Sequence, residues 1–389
     1  MGIMVVDASA HSYGVSAMGF GGPITPVKTH ELGSNNDAQL LADFGKAWES
    51  MAQEDISGSD YYFNSYSHFG IHEEMLKDSV RTGAYRKAIL DNSHLFKDKV
   101  VLDVGAGTGI LSMFAAKAGA KKVIALECSE ISELAERIIK DNGLSDKIVV
   151  VKGKAEEVDL SEIARELGET GEFVDIIVSE WMGYFLLYES MLDTVIFCRD
   201  KWLRQGGLLF PDRATLHVAA IEDGEYKREK LEFWDDVYGF DYGCMKRCVV
   251  EEPLVDTVEK TAMSTDSCCV LDIDLNTVTT DQLEFTSAFQ IRAQRNDFVH
   301  ALVVWFDCCF SACHRPLVFT TSPYGQYTHW KQSVLYLNNS LKIKAGESIA
   351  GVMCVRKNDR NPRDLDIKLH YDFKGEIMDD SETLYYRMR

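Results

Sequence analysis

The chain has 389 residues, 46% hydrophobic and 26% charged, enough to bury a substantial core in two domains or in one domain with a large appendage. No apolar run approaches the roughly 20 residues that cross a bilayer, and a formal charge of −20 argues against direct nucleic-acid binding, which needs clustered Lys and Arg, and favours basic partners or solubility alone. The ten cysteines form no C-x-x-C pair and include the neighbours Cys268-Cys269 and Cys308-Cys309, so reduced, mostly buried thiols and no metal are expected.

The first residues carry Gly2, but Val6 stands where an N-myristoylation signal wants Ser or Thr, and no signal peptide follows. An intracellular protein with no membrane role is expected. Residues 1–38 mix Gly, Ser and turn formers without a sustained period and read as a disordered tail. From Gln39 to Met51 the residues Leu40, Leu41, Phe44, Ala47, Trp48 and Met51 share a helical face, which predicts a short docking helix.

Between Val100 and Phe210 apolar strands alternate with helical segments. The strands are Val100–Val104, Val123–Glu127, Ile148–Lys152, Val174–Ser179 and Leu208–Phe210, a pattern that predicts a Rossmann-like α/β domain over residues 39–211 with a parallel sheet covered on both faces. After Pro211 the texture turns to short β-rich runs: Arg213–Ala219, Leu283–Ile291, His300–Phe306, Ser348–Val355 and Leu365–Tyr371. A second, antiparallel β domain over 212–389 follows. It is interrupted at Glu222–Tyr238, where Tyr226, Lys230, Phe233, Trp234, Val237 and Tyr238 recur at helical spacing, either to seek a partner or to pack on their own domain.

Asp103-Val104-Gly105-Ala106-Gly107-Thr108-Gly109 places a glycine-rich turn after a buried strand and before the helix Ile110–Ala118, which Gly119 terminates. Glycines let backbone N–H groups approach a ligand, and open α/β sheets bind ligands beyond their strand C-termini. Glu127, at the end of the second strand, suits two ribose hydroxyls. A nicotinamide domain shares that arrangement. The carboxylate of Asp103 directly before the turn, however, disfavours a pyrophosphate and favours S-adenosylmethionine, which has no phosphate and carries an ammonium and a sulfonium.

The segment Ser179–Met191 is an unusually apolar loop with Glu180 and Glu189 near its ends. Carboxylates in such surroundings need a cationic partner. The alternative is an outward Glu189 and a Glu180 engaged in an ordinary salt bridge.

This loop resembles the double-glutamate loop of the protein arginine methyltransferases, and other segments resemble that family in matching order: Tyr62–Tyr66, His68–Leu76, the glycine turn, Phe210–Thr215 and Thr328-His329-Trp330. The likeness runs from about Tyr61 to Arg389 and is strongest to the type I branch, above all its predominant enzyme. It implies an α/β S-adenosylmethionine-binding domain followed by an antiparallel β-barrel, and transfer of methyl groups to protein arginines, giving monomethyl and asymmetric dimethylarginine, with S-adenosylhomocysteine released.

By the resemblance, Glu180 and Glu189 grip the guanidinium. Arg81, Asp103, Glu127 and Glu156 contact the cofactor's carboxylate, its backbone-proximal part, its ribose and its adenine; Gly105, Gly107 and His72 also border it, and Phe63 and Tyr66 close a lid. Met75 and Met191 bear on how many methyl groups are added and where. The proton goes to His329, paired with Asp78, or to Glu189 itself. The segment 222–245 resembles a dimerisation arm, with Glu222–Tyr242 joining a homodimer, and the implied substrates are arginine/glycine-rich proteins and histone tails met in cytoplasm and nucleus. Ser161–Gly171 reads as an insertion relative to the family, and the N-terminal tail has no counterpart in it. A nicotinamide oxidoreductase, a cofactor-dependent scaffold and a small-molecule methyltransferase are the competing functions.

Overall fold

The computed structural model describes Phe44, Gly45 and residues 66–389. The tail 1–38, most of the segment Gln39–Met51, and Phe63 lie outside the described residues. Three helices come first: α1 (Phe69–Lys77), α2 (Ser79–Leu90) and the short α3 (Ser93–Phe96). Asp78 separates the first two and starts the second, its Oδ1 accepting from the N–H groups of Val80 and Arg81 at 3.0 and 2.9 Å. A side-chain carboxylate there satisfies donors that the first helical turn leaves orphaned.

The α/β unit then runs β1 (Val100–Val104), α4 (Ile110–Lys117), β2 (Lys122–Glu127), α5 (Ile131–Asp141), β3 (Ile148–Lys152), α6 (Ser161–Glu166), β4 (Val174–Ser179), α7 (Met191–Trp202) and β5 (Leu203–Phe210). All five strands pair in parallel in the order β3-β2-β1-β4-β5. Every residue of β1 is buried, as a central strand covered on both faces requires. The order reverses at β1, and the crevice beyond its C-terminus, between β1 and β2 on one side and β4 on the other, is where such sheets bind ligands. Part of the segment Ser161–Gly171 forms α6.

Past Phe210 the chain enters antiparallel structure. β6 (Arg213–Ile221) leads to α8 (Gly224–Glu232), a 3-10 turn at Phe233–Asp235 and α9 (Met245–Glu251). The helically spaced segment Glu222–Tyr238 is thus a helix to Glu232, a 3-10 turn and a hairpin-like bend. The bend falls where Tyr238 and Gly239 take positive φ values of 54° and 89° and the chain closes a bridge between Val237 and Phe240.

The remaining strands are β7 (Leu254–Asp256), β8 (Cys268–Asp274), β9 (Phe285–Arg292), β10 (Asp297–Phe310), β11 (Leu317–Thr320), β12 (Gln332–Ile343), β13 (Ser348–Lys357), β14 (Leu365–Lys374) and β15 (Asp379–Met388). They form a six-stranded sheet in the order β7-β12-β10-β6-β8, with β11 on β10, and a four-stranded sheet β15-β14-β13-β9. The expected barrel is thus two antiparallel sheets; β7, β8, β11, β12 and β15 are strands that the alternation of the sequence did not announce.

One contiguous core crosses both units. Its junction is aromatic: Tyr85 of α2 meets Phe310 of β10 edge-on at 5.0 Å and Phe319 of β11 at 6.4 Å, and Phe210 at the end of β5 meets Phe310 at 6.0 Å. Such pairs contribute roughly 0.5–1.5 kcal/mol each beyond the area they bury. The sheet and the barrel are thereby held in fixed register around the crevice.

Candidate active site

The glycine turn leaves β1 with Gly105, Gly107 and Gly109 at φ values of 73°, 55° and 83°, the left-handed region that side chains avoid. A Cβ on Gly105 would lie 2.1 Å from the terminal methyl of Met191, and one on Gly107 would lie 3.2 Å from the His72 ring. Met191 and His72 therefore press directly on the turn. His72 Nε2 is 2.8 Å from the Tyr66 carbonyl oxygen, which ties the start of the described chain to this point.

Glu127 Oε2 accepts from the Gly107 N–H at 2.8 Å and Oε1 from the Ser129 N–H at 2.7 Å, so the ribose-type acid is fixed in orientation by backbone donors. Asp103 is 1% exposed. Its Oδ2 accepts from Ser112 Oγ at 2.6 Å while Oδ1 has no partner, and burial raises its pKa to about 7. A buried carboxylate oxygen without a partner near the C-terminal end of β1 is suited to accept from a ligand donor that enters the crevice. Glu156 is exposed and accepts from Thr194 Oγ1 of α7 at 3.1 Å.

The loop between β4 and α7 is strained. Phe185, Leu186, Glu189 and Ser190 all have positive φ, at 53°, 66°, 78° and 56°. Each such non-glycine residue costs on the order of 1–3 kcal/mol and persists only where its surroundings impose it. Here Phe185, Leu186 and Leu187 are buried, Gly183 bridges Leu186, and Trp330 Nε1 reaches in from the barrel to donate to the Met182 carbonyl at 2.8 Å. Gly183 is obligatory in this arrangement, because a Cβ would sit 2.0 Å from the Tyr188 carbonyl oxygen.

The two glutamates at the loop's ends are both engaged. Glu180 Oε2 accepts from Arg81 Nε at 2.8 Å, with both side chains 8% exposed. Arg81 Nη1 also donates to the Met75 carbonyl at 3.2 Å, which brings Met75 to the same locus. Glu189 Oε2 accepts from the Tyr66 hydroxyl at 2.8 Å. The salt-bridged Glu180 foreseen as the alternative is thus present, whereas an outward Glu189 is not. A carboxylate this buried that already binds a guanidinium is chemically suited to binding one.

His329, from the segment between β11 and β12, completes the cluster. Its Nδ1 lies 2.8 Å from Asp78 Oδ2, and its backbone N–H donates to the same oxygen at 2.9 Å. Burial pushes the Asp78 carboxyl up, but the hydrogen bonds from the His329 ring, the Arg81 and His329 backbones and the His329 charge outweigh it and hold its pKa below the ordinary value. An open cleft of about 620 Å³ runs past this pair, bordered by Glu74, Lys77 and Tyr327. No helix among the described residues is long and apolar enough to span a membrane, and no cluster of His, Cys, Asp and Glu among them could hold a metal ion.

A parallel sheet with a phosphate-averse glycine turn and an acid-tipped second strand, joined to an antiparallel barrel that reaches into a double-glutamate loop, defines a two-domain methyltransferase. Comparisons with known proteins narrow the class. Residues 87–183 match the model of the ribosomal protein L11 methyltransferase family, and residues 212–376 match that of the arginine methyltransferase oligomerization subdomain. Protein arginine N-methyltransferase 1 of Schizosaccharomyces pombe is 56% identical over 343 residues, covering 87% of this chain and 98% of the relative. The probable protein arginine N-methyltransferase 1.2 of Arabidopsis thaliana is 50% identical over 375 residues, covering 94% and 100%. Among solved structures, the Trypanosoma brucei PRMT1 enzyme-prozyme heterotetrameric complex with AdoHcy superposes with a TM-score of 0.79 at 49% identity, covering 84% of this chain and 100% of that one. The chain belongs to the protein arginine N-methyltransferase family.

The sequence signals the acids, the histidine and the glycines but not Trp330 as the anchor of the loop, Tyr66 as the partner of Glu189, or Arg363, which bonds the Glu189 backbone. Arg363 sits in a polar Lys-Asn-Asp-Arg-Asn-Pro-Arg run that reads only as a turn.

Proposed function

We propose that this methyltransferase acts on arginine side chains of proteins, using S-adenosylmethionine, and that it forms monomethylarginine and then asymmetric dimethylarginine. The observation that carries the reading is the pair Glu180 and Glu189, held at the two ends of a strained apolar loop beside the glycine turn, with Glu180 already accepting from a guanidinium. The crevice suits the cofactor: Gly105 and Gly107 leave no room for side chains, Asp103 offers an unpartnered oxygen, and Glu127 presents fixed carboxylate oxygens. When bound there, S-adenosylmethionine supplies a methyl group already activated on sulfur.

The residues of the chain address what remains, which is that a guanidinium is a poor nucleophile with a pKa above about 12. Glu180 and Glu189 would orient its plane by charge-assisted hydrogen bonds and draw its positive charge towards two of its nitrogens, leaving electron density on the third. Arg81 would leave Glu180 free to do so by turning to the cofactor's carboxylate. Asp78, held ionised below its usual range, favours the His329 tautomer with the proton on Nδ1 and so leaves Nε2 able to accept a proton. Met75, whose carbonyl accepts from Arg81, and Met191, which presses on the glycine turn, match family positions that bear on how many methyl groups are added and where, and this likeness supports asymmetric rather than symmetric dimethylation.

The substrates proposed are arginine/glycine-rich proteins and histone tails, in cytoplasm and nucleus, and the assembly proposed is a homodimer through Glu222–Tyr242. Tyr238 is 97% exposed and Phe240 69%, an aromatic surface that an isolated chain leaves in water. The test is mass spectrometry of an arginine/glycine-rich peptide after incubation with enzyme and cofactor. Fragment ions of mono- and asymmetric dimethylarginine are expected; symmetric dimethylarginine, or methylation confined to other residues, contradicts the proposal.

A further inference from the structure

The barrel loop between β13 and β14 is some 170 residues from Glu189 in sequence and closes on it in space. Glu189 N–H donates to the Arg363 carbonyl at 2.8 Å, and Arg363 Nη1 donates back to the Glu189 carbonyl at 2.6 Å. The next residue, Ser190, donates from Oγ to the Pro362 carbonyl. Glu189 and Ser190 are the two consecutive residues of positive φ at the end of the strained loop. A conformation of this kind is kept only where neighbours over-determine it, and this reciprocal pair is the neighbour that does so.

The loop is itself braced. Asn358 Oδ1 accepts from the N–H groups of Arg360 and Asn361, and Asn358 Nδ2 donates to Asp366 at 3.1 Å. Asp366, 3% exposed, also accepts from Arg387 Nε of the last strand at 3.1 Å. A buried carboxylate with several donors is rigid and costly to disturb, so the barrel offers Arg363 from a fixed platform.

We propose that Arg363 is a positioning residue for methyl transfer: it clasps the backbone of Glu189 and thereby sets where that carboxylate meets the substrate guanidinium. The proposal rests on the reading that Glu189 binds the guanidinium. It assigns to the barrel a role inside the chemistry, beyond carrying His329. The Glu189 N–H bond is to the Arg363 backbone and survives substitution of the side chain, so loss of the guanidinium removes half of the clasp and leaves the chain path in place. A misplacement of about 1 Å in a reacting geometry can cost about a hundredfold in rate without altering ground-state binding.

The experiment compares Arg363→Ala and Arg363→Lys in the full chain, by methyl transfer to an arginine/glycine-rich peptide and by calorimetric titration with S-adenosylhomocysteine. Arg363→Ala is expected to lower kcat by about ten- to a hundredfold with S-adenosylhomocysteine affinity within about twofold of the parent. Arg363→Lys, whose ammonium can still reach the carbonyl, is expected to recover part of the rate. In a Glu189→Gln background the further change Arg363→Ala should cost almost nothing, because both act through one group. A kcat for Arg363→Ala within about twofold of the parent overturns the proposal, as do additive losses in the double variant and loss of S-adenosylhomocysteine binding in both single variants. Normal turnover of Glu189→Gln alone removes the clamp reading and this inference with it, whereas an impaired Glu189→Gln beside a normal Arg363→Ala removes only the inference.

Discussion

Asp103 and Glu180 are both carboxylates at strand ends in the same crevice, yet burial treats them differently. Glu180 is paired with the Arg81 guanidinium at 2.8 Å, and breaking such a buried pair from one side costs roughly 3–5 kcal/mol because the other charge is stranded. Asp103 has no ion-pair partner, only hydrogen bonds from the hydroxyl and backbone of Ser112, and burial lifts its pKa to about 7. A cation brought against its spare oxygen favours the ionised form, so ligand binding must expel a proton whenever the pH lies below that value. Affinity for S-adenosylhomocysteine, which retains the ammonium, should therefore rise as pH increases through about 7, with proton release on binding. Calorimetry in buffers of different ionisation enthalpy reads both. In Asp103→Asn the pH dependence should flatten, and a parent affinity that falls over the same range would contradict the sign.

Among the elements, the double-glutamate loop shows what the sequence could and could not disclose. Its apolar run and two acids announced a site, because anions in such surroundings need a partner. Its backbone was illegible: nothing in Phe185, Leu186, Glu189 or Ser190 signals a positive φ, since the conformation is imposed from outside by Trp330 and Arg363. The β1–β4 strands were legible as apolar runs, whereas of β5 only Leu208–Phe210 was, because Arg204, Gln205, Gly206 and Gly207 are polar or small and lie partly or fully exposed. β12 was not, since Asn338, Asn339 and Ser340 look like a turn although they lie within one strand. β15 opens on Asp379 and Asp380 and reads as a loop until pairing with β14 places it. The arm kept its aromatic spacing but broke where Tyr238 and Gly239 turn.

Gly183 sits where the loop comes closest to its own backbone. A methyl group added there collides with the Tyr188 carbonyl backbone, which cannot yield without displacing Glu189. Gly183→Ala should reduce methyl transfer by at least about a hundredfold while the parallel sheet remains folded and the thermal midpoint falls by a few degrees, the scale expected for about 1–2 kcal/mol. Circular dichroism melting and peptide methylation together check this, and near-normal turnover would show that the loop is not held as described.

For the whole molecule, a contiguous core and the contacts of Trp330, His329 and Arg363 make the barrel a part of the site rather than an appendage. The exposed aromatics of the arm then stand out as the surface the single chain leaves unfinished. Replacing Tyr238 and Phe240 together with Ser should shift the protein from dimer to monomer in light scattering without loss of folded structure. A dimer that persists would place the interface elsewhere.

The proposed clamp has Glu180 and Glu189 holding the substrate guanidinium. It is tested most directly by transfer of labelled methyl groups to an arginine/glycine-rich peptide by Glu180→Gln and Glu189→Gln, each isosteric and each with S-adenosylhomocysteine affinity measured alongside. Methyl transfer is expected to fall by about a hundredfold or more while affinity stays within a few-fold. Near-normal turnover in either variant would contradict it.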